Sequence, residues 1–362
     1  MTVTQYGSQR GPIDPLGFPP DFPGPKILVT GATGIGGSHI ALALARSGYK
    51  VHATTRSKKR SEAFSRKWPA AGITWTIVTN QDTPGVYDEA IKGCEGVVHC
   101  AGPFDYKHEV SREILDPSVE GILNVFEAAV KEGTVRRVIH ISSVAAIHQH
   151  PPTDDQDWSS VTYDETCYNL HEFKVATGEK NEDRQYAYTF SKKFAEEKAQ
   201  EWLKNNPHNF DVVTFCPATQ YGPLVQPLDN LSELDTASRR FYDYTTTATQ
   251  YIPKDPYPTY TAVKDLAQIV VRAYQTPVAS GQRYQVVSGY YNYGRLFSIL
   301  RKAFPTEAHR FPDVPDDGLP LKPHFFTDST KAERDFGVLH WTPIEEAIVP
   351  EFRDLLVVEA KS

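Results

Sequence analysis

Six short apolar runs punctuate the first 217 residues: KILVT (26–30), KVHATT (50–55), TWTIVT (74–79), GVVHC (96–100), RVIHIS (137–142) and DVVTFCP (211–217). Between them lie segments of helical period, such as SHIALALARSG (38–48), closed by Gly48, and GILNVFEAAVKEG (121–133). Near-continuous apolar strands separated by crossover helices need helices on both faces of one sheet, which predicts an α/β fold with a doubly wound parallel sheet.

Flanking this core, residues 1–25 are rich in proline and glycine and read as an irregular arm. After Pro217 the texture changes, and 217–260 is rich in Pro, Tyr and Thr (TATQYIPKDPYPTYT) with little periodicity. AVKDLAQIVVRAYQTP then reads as a helix stopped by Pro277, and RLFSILRKAFP as one stopped by Pro305. In WTPIEEAIVPEFRDLL, Thr342 is expected to cap a last helix, with Pro343 first inside it and Glu345 as reciprocal partner. Ile344, Ile348, Phe352 and Leu355 would form its apolar face, and Pro350 should kink it. The division expected is a dinucleotide-binding domain over 26–216, with 261–276 packing back on it, and a substrate-binding region over 217–260 and 277–362.

A net charge of −7 over 362 residues argues against nucleic acid or anionic membrane as the main partner. There is no apolar run of bilayer-spanning length and no hydrophobic segment at the N-terminus. Cys94, Cys100, Cys167 and Cys216 fit neither a disulfide framework nor a metal-ligand spacing, and Cys100 and Cys216 read as small core residues. A cytoplasmic monomer or homodimer acting on a small molecule is the expectation.

Between the first run and the first helix stands TGATGIGG, whose Gly31, Gly34 and Gly37 are spaced G-x-x-G-x-x-G. Such glycines permit a tight turn, close approach of backbone to a pyrophosphate and close helix packing, while the helix N-terminus offers free N–H groups to negative charge. Gly31, Thr33, Gly34, Ile35 and Gly37 are therefore candidate cofactor contacts. The second strand ends VHATTRSKKR, with no acidic residue for a ribose diol. Arg56, Lys58, Lys59 and Arg60 instead offer cations to a 2′-phosphate, which points to NADP(H) rather than NAD(H), chiefly through Arg56, Lys59 and Arg60.

In AYTFSKKFAEE (187–197), Tyr188 and Lys192 are four apart and share a helix face. That spacing alone fits a surface coincidence as well as a phenol tuned by an ammonium. HISSVAAI brings Ser142 and Ser143 to the carboxyl edge of the sheet, where ligands bind in such folds. Taken together, TGxxGxxG, the serine pair and Tyr-x-x-x-Lys resemble the extended short-chain dehydrogenase/reductases, which have a Rossmann-type sheet and a smaller C-terminal substrate-binding region. AYTFSKKFAEEKAQEW, GVVHCAGPF and RRVIHISSVAA resemble the branch of dihydroflavonol reductases, cinnamoyl-CoA reductases and fungal aldehyde/ketone reductases. The resemblance runs from Lys26 to Leu356.

It implies that Tyr188 donates a proton to the substrate oxygen, that Lys192 binds the nicotinamide ribose and that Ser143 rather than Ser142 hydrogen-bonds the carbonyl. It also implies that Pro217 and Tyr221 line the nicotinamide face, that Ala101 and Gly102 pass beneath the cofactor and that Asn80 meets adenine where the family often has Asp. Asn124 either echoes the family's active-site asparagine or is structural. Phe104, Tyr168, His171 and Thr219, with aromatics among Phe241, Tyr242, Tyr244 and Tyr251, are candidates to line the substrate pocket. The implied reaction is NADPH-dependent reduction of a medium-sized, partly apolar or aromatic ketone or aldehyde. Alternatives are a hydroxysteroid dehydrogenase/isomerase, a nucleotide-sugar epimerase or dehydratase, and an NADP-sensing regulator. His148 and His150 suggest a metal pair only superficially, since no third ligand lies near them in the sequence.

Overall fold

The computed structural model describes residues 17–19, 21–102, 112–149, 158–170, 184–246, 258–312 and 325–362, with the backbone alone at 112 and 184–186. The first half runs β1 (Lys26–Thr30), α1 (Ile35–Arg46), β2 (Lys50–Thr55), α2 (Lys58–Lys67), β3 (Thr74–Ile77), β4 (Gly96–His99), α3 (Arg112–Glu132) and β5 (Arg137–Ile141). Then come β6 (Thr162–Tyr163), α4 (Arg184–Asn205), β7 (Asp211–Pro217), β8 (Thr219–Tyr221), α5 (Thr236–Thr246), β9 (Thr259–Ala262) and α6 (Val263–Gln275). The chain closes with β10 (Arg283–Val286), β11 (Gly289–Tyr290), α7 (Tyr293–Ala303), β12 (Phe326–Thr327), α8 (Thr330–Phe336) and α9 (Ile344–Glu359).

Seven strands form one parallel sheet in the order β10-β7-β5-β4-β1-β2-β3. The chain starts in the middle at β1, winds outward to β3, then returns to β4 on the other side of β1. That reversal opens a crevice at the carboxyl ends of β1 and β4, the place where such sheets bind ligands. Apolar residues of α1 and α6 cover one face and those of α3 and α4 the other, so the strands are apolar on both sides. This is the Rossmann-type arrangement expected. No helix among the described residues is long and apolar enough to cross a membrane.

Helix α6 lies against α1. The boundary at 277 does not hold, because β10 pairs with β7 as the sheet's outermost strand and Ala332 and Phe336 of α8 enter the same core. The helix stop at Pro277 marked a change of element, not of domain. Apart from the β6–β12 pair, what is left, β8, β9 and β11 with α5, α7 and α9, encloses a second core rich in tyrosine and phenylalanine.

Ile344, Ile348, Phe352 and Leu355 are all buried in that second core, so α9 presents the apolar face expected of it. The cap reading fails: Thr342 gives its hydroxyl to Asp265 Oδ1 at 2.5 Å, and Glu345 pairs with Arg295 at 3.1 Å. The Thr342 N–H and hydroxyl both donate to the Asp265 carboxylate on α6, a charged acceptor, so the threonine serves the junction between the two regions instead of accepting from the first N–H groups of α9.

Glu351 of α9 is wholly buried, and its Oε2 accepts the Gly222 N–H at 3.0 Å. Ser238 Oγ stands 3.0 Å from Glu351 Oε1 and 3.1 Å from Asp235 Oδ2. One hydroxyl proton cannot serve both carboxylates, so one of the two carboxyls is itself protonated. Burial pushes both carboxyls above their usual range, Glu351 the further, and Asp235 Oδ1 accepts two backbone N–H groups, from Ala237 and Ser238, against one for Glu351, so the proton is assigned to Glu351. A pKa raised by folding contributes stability at low pH that is lost as pH rises from about 4.3 through the folded-state value. Glu351→Gln, neutral at every pH, is thus expected to melt several degrees above the parent near about pH 8.5, with the gap closing toward pH 5. An equal difference in Tm at both ends would place no proton on Glu351.

Candidate active site

The crevice begins with the turn after β1. Gly31 has φ +65°, in the left-handed region, and a methyl group there would lie 2.9 Å from both Cα and N of Ala101. A methyl on Gly37 would strike the carbonyl of Gly31. Gly34 caps α1 without a side chain and is exposed, leaving the first N–H groups of α1 open to an anion. Thr33 Oγ1 meets Thr55 Oγ1 at 2.9 Å and ties this turn to the end of β2. The Ile35 side chain is buried in the second core, so only its backbone faces the turn. Gln220, absent from the expected contacts, has a buried Oε1 with no partner among the described residues, and a methyl on Gly36 would collide with it. A flat backbone cradle with no Cβ to fill it fits a dinucleotide diphosphate.

At the end of β2, Ser57 accepts the Arg60 N–H at 3.3 Å and opens α2. Lys59 pairs with Asp229 at 2.6 Å and reaches Glu233 at 3.8 Å, while Arg60 donates to the Glu233 carbonyl at 2.9 Å. Arg56 is exposed and carries no ion pair among the described residues, so it is the cation left uncommitted at the strand's end. Asn80 is exposed after β3. Asn124 is buried and donates to the Gln81 carbonyl at 2.9 Å, fixing the loop that holds Asn80.

On the other side of the crevice, the N–H groups of Cys100 and Ala101 both donate to Thr30 Oγ1 at 3.2 Å, and Thr30 in turn meets His99 Nδ1 at 2.9 Å. This knot holds the end of β4 beside the glycine turn. Gly102 follows, and a methyl there would sit 3.0 Å from Lys192 Nζ. The same ammonium stands 5.6 Å from the centroid of the half-buried Tyr188 ring. Burial lowers the pKa of Lys192, opposed chiefly by the carboxylate of Glu196. The structure thus brings Gly102, Lys192 and Tyr188 to one point at the mouth of the crevice.

Ser142 is buried, and its hydroxyl is hydrogen-bonded to Glu196 Oε1. Ser143 is half-buried; its Oγ accepts the Ala145 N–H at 3.1 Å and so caps a short 3-10 turn (Val144–Ala146) that packs on α4. Accepting that bond leaves the Ser143 proton available to donate.

Other expectations need correction. Tyr221 has no exposed surface and meets Phe241 and Tyr291 edge-on at 5.5 and 5.6 Å between centroids. Because β8 pairs with β9, its tyrosine faces the second core rather than a cofactor. Phe241 and Tyr242 are core residues too, Tyr242 donating to Glu359 at 2.7 Å. Tyr168 lays its ring 4.1 Å from the Arg283 guanidinium carbon and accepts from Gln200 Nε2 at 3.1 Å. Gln200 is twelve residues beyond Tyr188 on α4, about 18 Å at 1.5 Å per residue, so Tyr168 does not line a pocket at Tyr188. Pro217 is buried at the end of β7, and Thr219 and Tyr244 are half-buried. Phe104, His171, Tyr251 and His150 lie outside the described residues.

His148 is fully buried with Nε2 3.0 Å from Gln285 Oε1, and no metal-holding cluster occurs among the described residues. Two groups escaped the sequence reading. Glu196 follows Lys192 by four residues, a spacing that marks the same inner face of α4. Asn169 sits in an aperiodic segment with nothing local to mark it.

Across residues 27–287 the chain matches the NAD dependent epimerase/dehydratase family. It is 32% identical to a ketoreductase of Aspergillus niger over 86% of this chain and 92% of that one. It is 31% identical to a cinnamoyl-CoA reductase of Medicago truncatula, covering 90% and 94%. In three dimensions it resembles yeast methylglyoxal/isovaleraldehyde reductase Gre2 complexed with NADPH, with a TM-score of 0.79 at 24% identity, covering 93% of this chain and all of that one.

Proposed function

The chain belongs to the NAD dependent epimerase/dehydratase family, the extended short-chain dehydrogenase/reductases, and on that footing we propose that it is an NADPH-dependent carbonyl reductase. Its substrate on this reading is a medium-sized ketone or aldehyde, partly apolar or aromatic, and Tyr188 is the proton donor. The observation that carries the reading is the Lys192 ammonium held between Gly102 and the Tyr188 ring, at the point where the sheet's winding reverses. The names of the relatives, a ketoreductase and a cinnamoyl-CoA reductase, support the substrate class.

The glycine turn and the first N–H groups of α1 hold the diphosphate, and Arg56 with the start of α2 takes the 2′-phosphate. When bound, the nicotinamide supplies the hydride. Lys192 anchors the adjoining ribose, and its positive charge favours the phenolate form of Tyr188, making the phenol a readier acid. Ser143 donates to the carbonyl oxygen as negative charge grows on it, and Tyr188 delivers the proton that completes the alcohol.

The experiment is steady-state turnover of aromatic and aliphatic ketones and aldehydes with NADPH and with NADH, sugar nucleotides serving as the contrast. Turnover confined to sugar nucleotides would overturn the substrate class. Arg56→Ala is expected to raise the KM for NADPH by about tenfold or more while leaving that for NADH unchanged, since charge-assisted phosphate contacts are the stronger kind of hydrogen bond. If the parent enzyme used the two coenzymes equally, the 2′-phosphate site would be wrongly placed.

A further inference from the structure

We propose that Asn169 is a positioning residue, a clamp that fixes the turn of Ser143 against the helix of Tyr188; it rests on the roles just given to those two side chains. Asn169 is 1% exposed. Its backbone N–H donates to the Ala146 carbonyl at 3.0 Å. Its side-chain NH2 donates to the Ala145 carbonyl at 2.8 Å and to the Thr189 carbonyl at 3.3 Å. Ala145 lies in the turn that Ser143 opens, and Thr189 is the residue after Tyr188. Two protons on one planar nitrogen therefore span the gap between the elements carrying the two reacting hydroxyls.

The clamp is itself braced. Arg283 donates to the carbonyls of Glu165 and Cys167 at 2.7 and 2.8 Å, and its Nε to Glu196 Oε2 at 2.7 Å. Leu170 N–H donates to Gln149 Oε1 at 2.9 Å. The segment is thus tied to β10, α4 and the end of the Ser143 turn. Asn169 Oδ1, by contrast, is buried with no partner among the described residues, a cost that a mere space-filling residue would avoid. The amide is needed for its donors. Displacing a reacting group by about 1 Å can cost on the order of 10²-fold in rate, which sets the scale of what the clamp protects.

Asn169→Ala is expected to lower kcat by about 10–100-fold while the Kd for NADPH, read by nicotinamide fluorescence, stays within about twofold. Asn169→Ser keeps one donor and is expected to fall between Ala and the parent. Asn169→Asp keeps the shape but donates only when protonated, so its kcat relative to the parent should rise as pH falls. A core variant remote from the site, Phe210→Leu, supplies the control for loss of packing. The proposal is overturned if Asn169→Ala or Asn169→Ser loses no more kcat than a Phe210→Leu protein of equal Tm loss, or if the Asp variant tracks the parent's pH profile. Retention of turnover by Tyr188→Phe is a different result, and it removes the reading on which the clamp depends.

Discussion

Tyr188→Phe is expected to bind NADPH as the parent does and to lose turnover by about 10²–10⁴-fold, the range for removal of a positioned general acid. The substitution deletes one oxygen and keeps the ring, so the face that Lys192 approaches at 5.6 Å survives. Lys192 still meets Gly102, and the glycine turn is untouched. What goes is the proton that the substrate oxygen must receive after hydride arrives. Parallel titration of NADPH binding and measurement of kcat separates these effects. A variant that retained more than a tenth of the parent's kcat would have its acid elsewhere, and the tyrosine would then be only part of the helix packing.

Acid should unfold the protein sharply. His99, His140 and His148 are all buried, and burial holds His99 and His148 down to about 3 and His140 well below the ordinary imidazole value. Each is neutral in the folded chain and takes up a proton near about pH 6.5 once unfolded. A pKa depressed by folding contributes stability that is present above the unfolded value and is lost as pH falls toward the folded one. Three such protons give a slope of about 4 kcal/mol per pH unit below pH 6. Against a total stability of about 5–15 kcal/mol, that places the acid midpoint roughly 1–4 units below 6.5. Circular dichroism against pH measures it, and His148→Asn is expected to make the transition shallower by about one proton. A fold that persisted to pH 4 with an unchanged Tm would require the imidazoles to be hydrated. With Glu351 weakening the second core as pH rises, stability should peak on the mildly acidic to neutral side.

Much of this architecture is legible in the chain because it rests on repetition. KILVT, KVHATT and DVVTFCP are strands at the residues expected, since strands covered on both faces stand out as short, mostly apolar runs between polar helices and turns. The glycine turn was legible for a related reason: only glycine tolerates the approach of Ala101 at Gly31. Aromatic residues misled. Tyr221 lies in PATQYGP and Tyr168 in an irregular loop, and in sequence a tyrosine facing a pocket looks the same as one stacked on arginine or on other rings. Thr342 failed as a cap because its partner, Asp265, is remote in sequence and brought near only by the fold. Asn169 was invisible for the same reason, every bond of its side chain being to a carbonyl more than fifteen residues away.

The place of β10 bears on how the protein must be made. Its partner β7 ends at Pro217, yet β10 begins only at Arg283. At roughly 5–20 residues per second a ribosome needs several seconds to pass from one to the other. Through that interval β7 is an open flank offering unpaired amides to any neighbouring nascent chain. Expression yield should therefore respond to chaperone supply and growth temperature, and a protein cut short before Arg283 should precipitate rather than persist as a free nucleotide-binding half.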